Sequence, residues 1–296
     1  MTRVAILVAL VACGPPPREG APGDDTGTAD ARPDTGGGST CTAAAMKVYV
    51  VDQNNTLSTF TPPATFTDLG TLSCSATGAT PFSMGIDRNA MAWILYSDGA
   101  IYNVDPTRSP LACTPSAWTS GTEGNLVFGM GFSTDAAGGD VDTLYIAGGG
   151  GYISDAYVQL SSVDVTTLPI RTVPIGEPQP GWPELTGNAL AELWGFFPNT
   201  DGTRGPRVGR FDKQTGVIDP VYGLALGNGG GDVATDWAFA FYGGSYYIFQ
   251  ATIGDTVVYA VDEQGVLADP AGTPTTRKIV GAGVSTCAPV IVGRAP

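Results

Sequence analysis

The sequence predicts an all-β domain made of four-stranded antiparallel sheets arranged radially. Three observations favour this fold: a composition of turn formers without helical periodicity, a strand unit that repeats four times, and terminal segments that complete one more unit. These features lie in residues 41–296, a stretch long enough for one large domain or two small ones.

A short apolar leader precedes the domain. The run after Arg3, residues 4–12, is far shorter than the roughly 20 residues that a membrane-spanning helix needs, and it is typical of a secretory signal. The tetrapeptide LVAC at residues 10–13 resembles the lipobox of bacterial lipoproteins in all four positions. The resemblance implies a signal peptide at residues 1–12, a lipidated Cys13 and, with Gly14 following, an outer-membrane location. The alternative is a chance apolar leader that ends in an ordinary buried cysteine.

The segment from Gly14 to Thr40 contains no aromatic and no branched aliphatic residue. Such a segment buries too little apolar surface to offset the entropy lost on ordering, so we predict a disordered tether. As a flexible coil it has an r.m.s. span of roughly 30 Å. The predicted organisation is therefore signal peptide, lipidated cysteine with tether at 13–40, and one folded domain at 41–296.

Composition and charge narrow the function classes. The chain has 42 Gly, 23 Pro and only 14% charged residues, which favours strands and turns over helices. Its net charge is −14, and removal of the leader with Arg3 makes the mature chain more acidic still. Nucleic-acid binding needs a basic surface, so we expect no nucleic-acid partner, and membrane contact only through the lipid anchor.

Four cysteines remain besides Cys13, and an even count in an exported chain favours two disulfides. Four cysteines allow three connectivities, of which we favour Cys74 with Cys113, at the ends of neighbouring outer strands, and Cys41 with Cys287, near the two chain ends. The second pair requires the segment before the first strand to double back. None of the four shows the paired spacing of a zinc site, and the chain has no histidine.

Four segments of the domain share one pattern, at residues 82–105, 128–164, 189–212 and 237–262. Each has an inner strand, an aromatic and aliphatic second strand, a turn, and a third strand that ends in aspartate. We predict that these acids cap the following turns through their own side chains instead of forming a catalytic ring. The four are Asp105, Asp164, Asp212 and Asp262.

Strand units that recur at this spacing predict blades arranged around an axis. Inner strands at Phe82, Phe128, Gly187, Trp237 and near Pro289 give five blades, with a sixth as the alternative in residues 168–188 or 217–236. Two packed sandwiches are less favoured, because the terminal strands would lack partners.

The two chain ends complete one blade between them. Residues 46–74 supply three strands and lack the inner one, for which we predict Ala288–Arg294, after a fourth strand of the preceding blade at Thr276–Cys287. Closure by both termini protects the sheet edges.

This pattern resembles the β-propeller over residues 44–295. More narrowly, the segments AWILYSDG, WAFAFYGG and VGAGVSTCAP resemble tethered propeller lipoproteins of myxobacteria and their relatives. The resemblance covers most of the ordered chain and implies no activity; whether the domain faces the periplasm or the cell surface stays open.

Candidate ligand residues lie in the long loops between strands. The absence of histidine excludes a Ser-His-Asp triad, and the glycine-rich segments precede no helix that would cradle a phosphate. A loop tryptophan either stacks on a sugar ring or peptide, or plugs the space between blades. The candidates are Trp118, Glu123, Trp182, Glu184, Asp232 and Asp236.

Two further hypotheses rest on carboxylates. Glu184 with Asp236 is a candidate pair for glycoside hydrolysis, which needs two carboxyl groups about 5 to 9.5 Å apart. Asp135, Asp140 and Asp142 are candidate calcium ligands, with a solvated hairpin as the alternative. No other cofactor is expected.

We therefore predict a lipid-anchored envelope protein that acts as a binding or interaction module, with a carbohydrate or another surface protein as partner. Two alternatives stay open: a carboxylate-based enzyme resembling glycoside hydrolases, and a structural envelope protein without a soluble ligand.

Overall fold

The computed structural model describes residues 41–75, 78–149, 157–227, 229–268 and 272–291. The predicted signal peptide, Cys13 and the tether lie outside these residues. The described chain is all-β, with one short 3-10 helix at Thr122–Gly124. It contains no helix long and apolar enough to cross a membrane.

The strands form five antiparallel sheets, each of which runs from an inner strand to an outer strand in the order that follows. Sheet 1 contains β21 (Ile279–Val284), β1 (Val48–Asp52), β2 (Thr56–Thr61) and β3 (Thr65–Thr71). Sheet 2 contains β4 (Pro81–Ile86), β5 (Ala92–Tyr96), β6 (Ile101–Val104) and β7 (Cys113–Pro115). Sheet 3 contains β8 (Val127–Thr134), β9 (Asp142–Gly149), β10 (Tyr157–Asp164) and β11 (Arg171–Pro174), and β12 (Gln179–Pro180) also pairs with β10.

The remaining two sheets follow the same order. Sheet 4 contains β13 (Glu184–Gly187), β14 (Leu193–Phe197), β15 (Arg207–Phe211) and β16 (Ile218–Gly223). Sheet 5 contains β17 (Asp236–Tyr242), β18 (Ser245–Ala251), β19 (Val257–Asp262) and β20 (Thr273–Pro274).

The five inner strands close into a ring in the order β21, β4, β8, β13 and β17. Each contacts the next, and β17 contacts β21. The domain is therefore a five-bladed β-propeller, as predicted, and the described residues form no sixth blade. The inner strands run in the same direction around the ring. We call the face where they begin the entry face and the face where they end the exit face.

One blade is closed by both chain ends, which confirms that prediction, but the strand that closes it was assigned wrongly. The inner strand is β21, within the segment expected to be the fourth strand of the preceding blade, and Ala288–Ile291 forms no strand. The outer strand of sheet 5 is only the two-residue β20. The sequence IVGAGV suits the centre because a side chain at Gly281 or Gly283 would press on β4.

Glycine lets neighbouring inner strands approach closely. A Cβ atom at Gly129 would collide with the carbonyl oxygen of Pro183, and one at Gly187 would collide with that of Phe132. Hydroxyl groups then take the place of a backbone ladder between blades: the Thr186 hydroxyl accepts a hydrogen bond from the Phe241 amide at 3.0 Å. Close backbone contact and these bonds hold the ring together.

Aspartates cap the turns on the exit face, as predicted. Asp105 and Asp164 each accept the backbone N–H two residues later, at 2.9 Å. Asp212 and Asp262 each accept two backbone N–H groups, from residues two to four positions later, at 2.8 and 2.9 Å. These carboxylates therefore have a structural role that their position in the turn explains.

Both predicted disulfides are present. Cys74 joins Cys113 at a Cα separation of 5.1 Å, and Cys41 joins Cys287 at 5.6 Å. The doubling back expected from the sequence is not needed: β21 is the inner strand, Val48 at the start of β1 pairs with Val284 at its end, and Cys41 and Cys287 therefore both lie at the exit face. The second bridge thus joins the two ends of the ring.

Candidate functional site

A cavity of about 240 Å³ opens at the centre of the entry face. Four inner strands contribute their first residues to it: Pro81 and Phe82 from β4, Glu184 from β13, Asp236 and Trp237 from β17, and Val280 from β21. The β1–β2 turn adds Gln53 and Asn54. The wall therefore combines carboxyl groups, amides and aromatic rings at the mouth of the propeller axis.

Glu184 is the most buried carboxyl group of this cavity, with 2% of its surface exposed. The Ser83 hydroxyl donates to its Oε2 atom at 2.8 Å, and the Ser83 oxygen accepts the Met130 amide at 3.2 Å. Burial raises the pKa of Glu184 well above its usual value, because a charged carboxylate loses its hydration there, although the bonds from Ser83 and Met130 act in the opposite direction. The site therefore favours the protonated, neutral acid.

Asp236 stands at the start of the neighbouring inner strand. Its Oδ2 atom forms an ion pair with Lys278 Nζ at 2.7 Å, and both side chains are about a quarter exposed. The opposite charges of Asp236 and Lys278 cancel within this pair. The cavity therefore combines a paired carboxylate with a buried carboxyl group whose pKa is raised.

The structure brings Glu184 and Asp236 to one cavity, but it places Glu184 differently from the sequence interpretation. We expected a loop residue before an inner strand near Gly187, whereas Glu184 is the first residue of β13. Phe82, Trp237 and Lys278 were missed as site residues. All three lie at or just before the start of an inner strand. Aligning the inner strands of the blades would therefore have identified them as site residues.

The two loop tryptophans are buried, so the expectation of an exposed stacking face is not met. Trp118 is 7% exposed and packs edge-on against Phe128, with ring centroids 5.2 Å apart. Trp182 is 3% exposed. Trp118 follows the other alternative, in which the ring fills space between blades, and Trp182 is likewise buried in the hydrophobic core, because burying a large aromatic surface is favourable.

Two other loop acids also lie away from the cavity. The Glu123 carboxylate accepts hydrogen bonds from the backbone N–H and the hydroxyl of Thr172, on the outer strand β11. Asp232 lies close to Gly227 in the loop between β16 and β17. Neither belongs to the lining of the central cavity.

The candidate calcium ligands do not come together. Asp142 pairs with Arg88 at 2.8 Å and accepts the Thr286 hydroxyl at 2.6 Å, which links blades 3, 2 and 1. Asp135 accepts the Thr143 hydroxyl at 2.7 Å, and Asp140 is exposed. Among the described residues no group of three or more acidic, cysteine or histidine side chains lies close enough to hold a metal ion. Calcium binding stays a prediction without an assembled site.

A larger open cavity of about 740 Å³ lies on the exit face of blade 4. Most of its charged side chains already have partners: Arg210 pairs with Glu192 at 3.4 Å, and Lys213 donates to the Thr134 carbonyl at 2.6 Å. Asp212 caps its turn. The central cavity is therefore the better candidate site.

Comparisons with known proteins give only remote likenesses. No family model and no curated protein matches the chain. Among solved structures, it is similar to a chain of a nidogen/laminin complex, with a TM-score of 0.47 and 14% identity over 81% of this chain and 80% of that one. It is also similar to a Dos1 propeller, with a TM-score of 0.43 and 10% identity over 82% and 71% of the two chains. A protein of unknown function from Bacteroides caccae gives 0.41 and 10%, over 80% and 97%. These likenesses assign no ligand, and the propeller fold itself is consistent with an interaction or binding module.

Proposed function

We propose that this chain is a lipid-anchored envelope protein that binds a neutral carbohydrate in the central cavity of its entry face. The observation that carries the proposal is the convergence of Glu184 and Asp236 with Phe82 and Trp237 in one cavity. Carboxyl and amide groups bond sugar hydroxyls, and aromatic rings pack on the apolar faces of sugar rings.

The size and charge of the cavity define the ligand class. Its volume of about 240 Å³ corresponds to about eight water molecules. This volume suits one sugar unit, either free or at the end of a glycan. Burial shifts Glu184 toward its neutral form, and Asp236 is paired with Lys278, so the cavity offers little net charge to attract an ionic ligand. We therefore expect neutral sugars to bind better than uronic acids or amino sugars.

The anchor part of the proposal rests on the sequence. The lipobox-like LVAC at residues 10–13 and the polar segment that follows support acylation of Cys13 and an outer-membrane location. Mass spectrometry of the native N-terminus tests this part independently of ligand binding. A chain that retains residues upstream of Cys13 contradicts it.

The binding test is a calorimetric titration of the mature chain carrying Cys13→Ser with neutral, acidic and basic monosaccharides and oligosaccharides. Asp236→Asn is expected to weaken neutral-sugar binding at least about tenfold, since it removes an acceptor and leaves Lys278 without its partner. Asp255→Asn, in the exposed β18–β19 turn, is the matched control. Equal affinities for all three proteins, or no binding of any sugar, contradict the carbohydrate site and favour a protein partner or a structural role.

The second candidate is a carboxylate-based glycoside hydrolase. It is favoured by Glu184, whose pKa is raised by burial, in the same cavity as Asp236, which pairs with Lys278. Glu184→Gln separates the two functions: an amide has the same shape and still donates a hydrogen bond, so a binding protein retains affinity, whereas a hydrolase loses turnover.

A further inference from the structure

Exposed aliphatic side chains are concentrated on the exit face. They lie in the turns β8–β9, β10–β11, β13–β14, β15–β16 and β19–β20, and each belongs to a different turn. The five are Val141, Leu168, Leu190, Val217 and Val266. Ile291, in the segment that hydrogen-bonds to the β17–β18 turn through Pro289, adds a sixth.

The entry face presents fewer such residues. Within the described part of the chain, its loops expose Val233 and Ile253 as large aliphatic side chains. These side chains are largely exposed, and their concentration on one face favours a contact surface.

The chain also enters the domain at the exit face. Cys41 is bonded to Cys287, which lies three residues past the last residue of β21. The central cavity lies at the other end of β21, about 20 Å away for a six-residue strand. The segment between Cys13 and Cys41 therefore joins the domain on the side opposite the cavity.

We propose that the exit face docks on the lipid surface that holds Cys13, with its turn-tip aliphatic residues inserted among the headgroups, so that the central cavity opens away from the membrane. This inference rests on the lipid anchor of the proposed function. It departs from the expectation that the lipid anchor is the only membrane contact.

The charge of this face indicates the kind of lipid. The capping aspartates, among them Asp164 and Asp212, lie in the same turns as Leu168 and Val217. Anionic headgroups would repel these carboxylates, whereas zwitterionic headgroups would not. Insertion therefore depends on the aliphatic side chains and is expected to be stronger on phosphatidylcholine vesicles than on vesicles that also contain phosphatidylserine.

The test uses the mature chain from residue 13, with Cys13 coupled to a maleimide lipid in phosphatidylcholine vesicles. With the other four cysteines in disulfides, Cys13 supplies the coupling thiol. A polarity-sensitive dye is attached through an azido amino acid at Leu168 or, as the matched control, at Ile253; these residues are 78% and 98% exposed and lie on opposite faces. We expect a several-fold fluorescence increase on vesicles at position 168 and none at position 253.

An increase at position 253 as large as that at 168, or no increase at either, overturns the docking proposal. The second result would point to a protein partner for the exit face.

A triple variant, Val141→Ser, Leu168→Ser and Val217→Ser, with the dye at Leu190, is expected to lose most of the signal. Val233→Ser with Ile253→Ser should retain it, and equal signals from both variants also overturn the proposal. Because all these side chains are exposed, folding is expected to be unaffected.

The failure of this proposal is distinguishable from failure of the proposed function. Chemical coupling makes the docking measurement independent of natural acylation, which the native N-terminal mass tests. Sugar binding is measured in solution on the Cys13→Ser chain.

Discussion

The Ser83 hydroxyl on β4 donates to Glu184 on β13, two blades away, at 2.8 Å and 101 residues apart in the sequence. The same hydroxyl oxygen accepts the Met130 amide, so one small side chain joins the inner strands of three successive blades. Ser83 therefore contributes both to the contacts between blades and to the pKa of Glu184, which its hydrogen bond lowers.

Replacing Ser83 with alanine is the first prediction. The change leaves a buried amide and a buried carboxyl group each short of one partner, which costs about 1 to 3 kcal/mol per buried group. We expect Ser83→Ala to lower the free energy of unfolding in urea by at least about 2 kcal/mol. Thr67→Ala, on the exposed outer strand β3, is the control and should change little. A stability equal to that of the control would contradict the role of Ser83.

The second prediction concerns pH. The folded pKa of Glu184 is raised above its unfolded value of about 4.5, so the folded state holds more protons than the unfolded state between the two values. Glu184 therefore contributes stability that is present below 4.5 and is lost as the pH rises toward the folded pKa. Glu184→Gln removes this dependence. The stability of the variant relative to the native chain is expected to increase with pH above 4.5, and a constant difference from pH 4 to 8 would show that burial leaves this pKa unshifted.

The third prediction separates packing from binding at Trp118. Because its ring is buried against Phe128, Trp118→Ala is expected to lower stability by about 3 to 5 kcal/mol. Sugar affinity, measured where the variant is folded, is expected to be unchanged. Trp118→Phe is the conservative control, with a smaller loss of stability. Loss of sugar affinity in a fully folded Trp118→Ala variant would show that Trp118 belongs to the binding site.

The fourth prediction compares the two disulfides. Cys41–Cys287 spans 246 residues and Cys74–Cys113 spans 39. In the chain-entropy model the longer loop gives about 1.6 kcal/mol more stabilisation. Cys41→Ser with Cys287→Ser is therefore expected to lower the free energy of unfolding by more than Cys74→Ser with Cys113→Ser does. The reverse order, by chemical denaturation under non-reducing conditions, would contradict ring closure by the long bridge.

Much of the fold was predictable because its determinants are local. Alternating apolar residues and turn formers set the strands, and Asp105 and Asp262 could be assigned as turn caps from their place at strand ends alone. The sequence interpretation assigned the wrong inner strand to the closing blade. Local pattern makes both Ile279–Val284 and Ala288–Arg294 acceptable strands, and only the packing of Gly281 and Gly283 against β4 selects the first.

The sequence by itself determined the blade units, the capped turns, the even number of cysteines in the domain and the acidic, histidine-free chemistry, all of which follow from short-range pattern and composition. Only the tertiary structure decided which side chains meet. Closing the ring brings the first residues of strands about 50 positions apart to one axis, so Glu184 joins Asp236 while Trp118 turns inward. Long-range closure and burial set this geometry, and no local pattern encodes it.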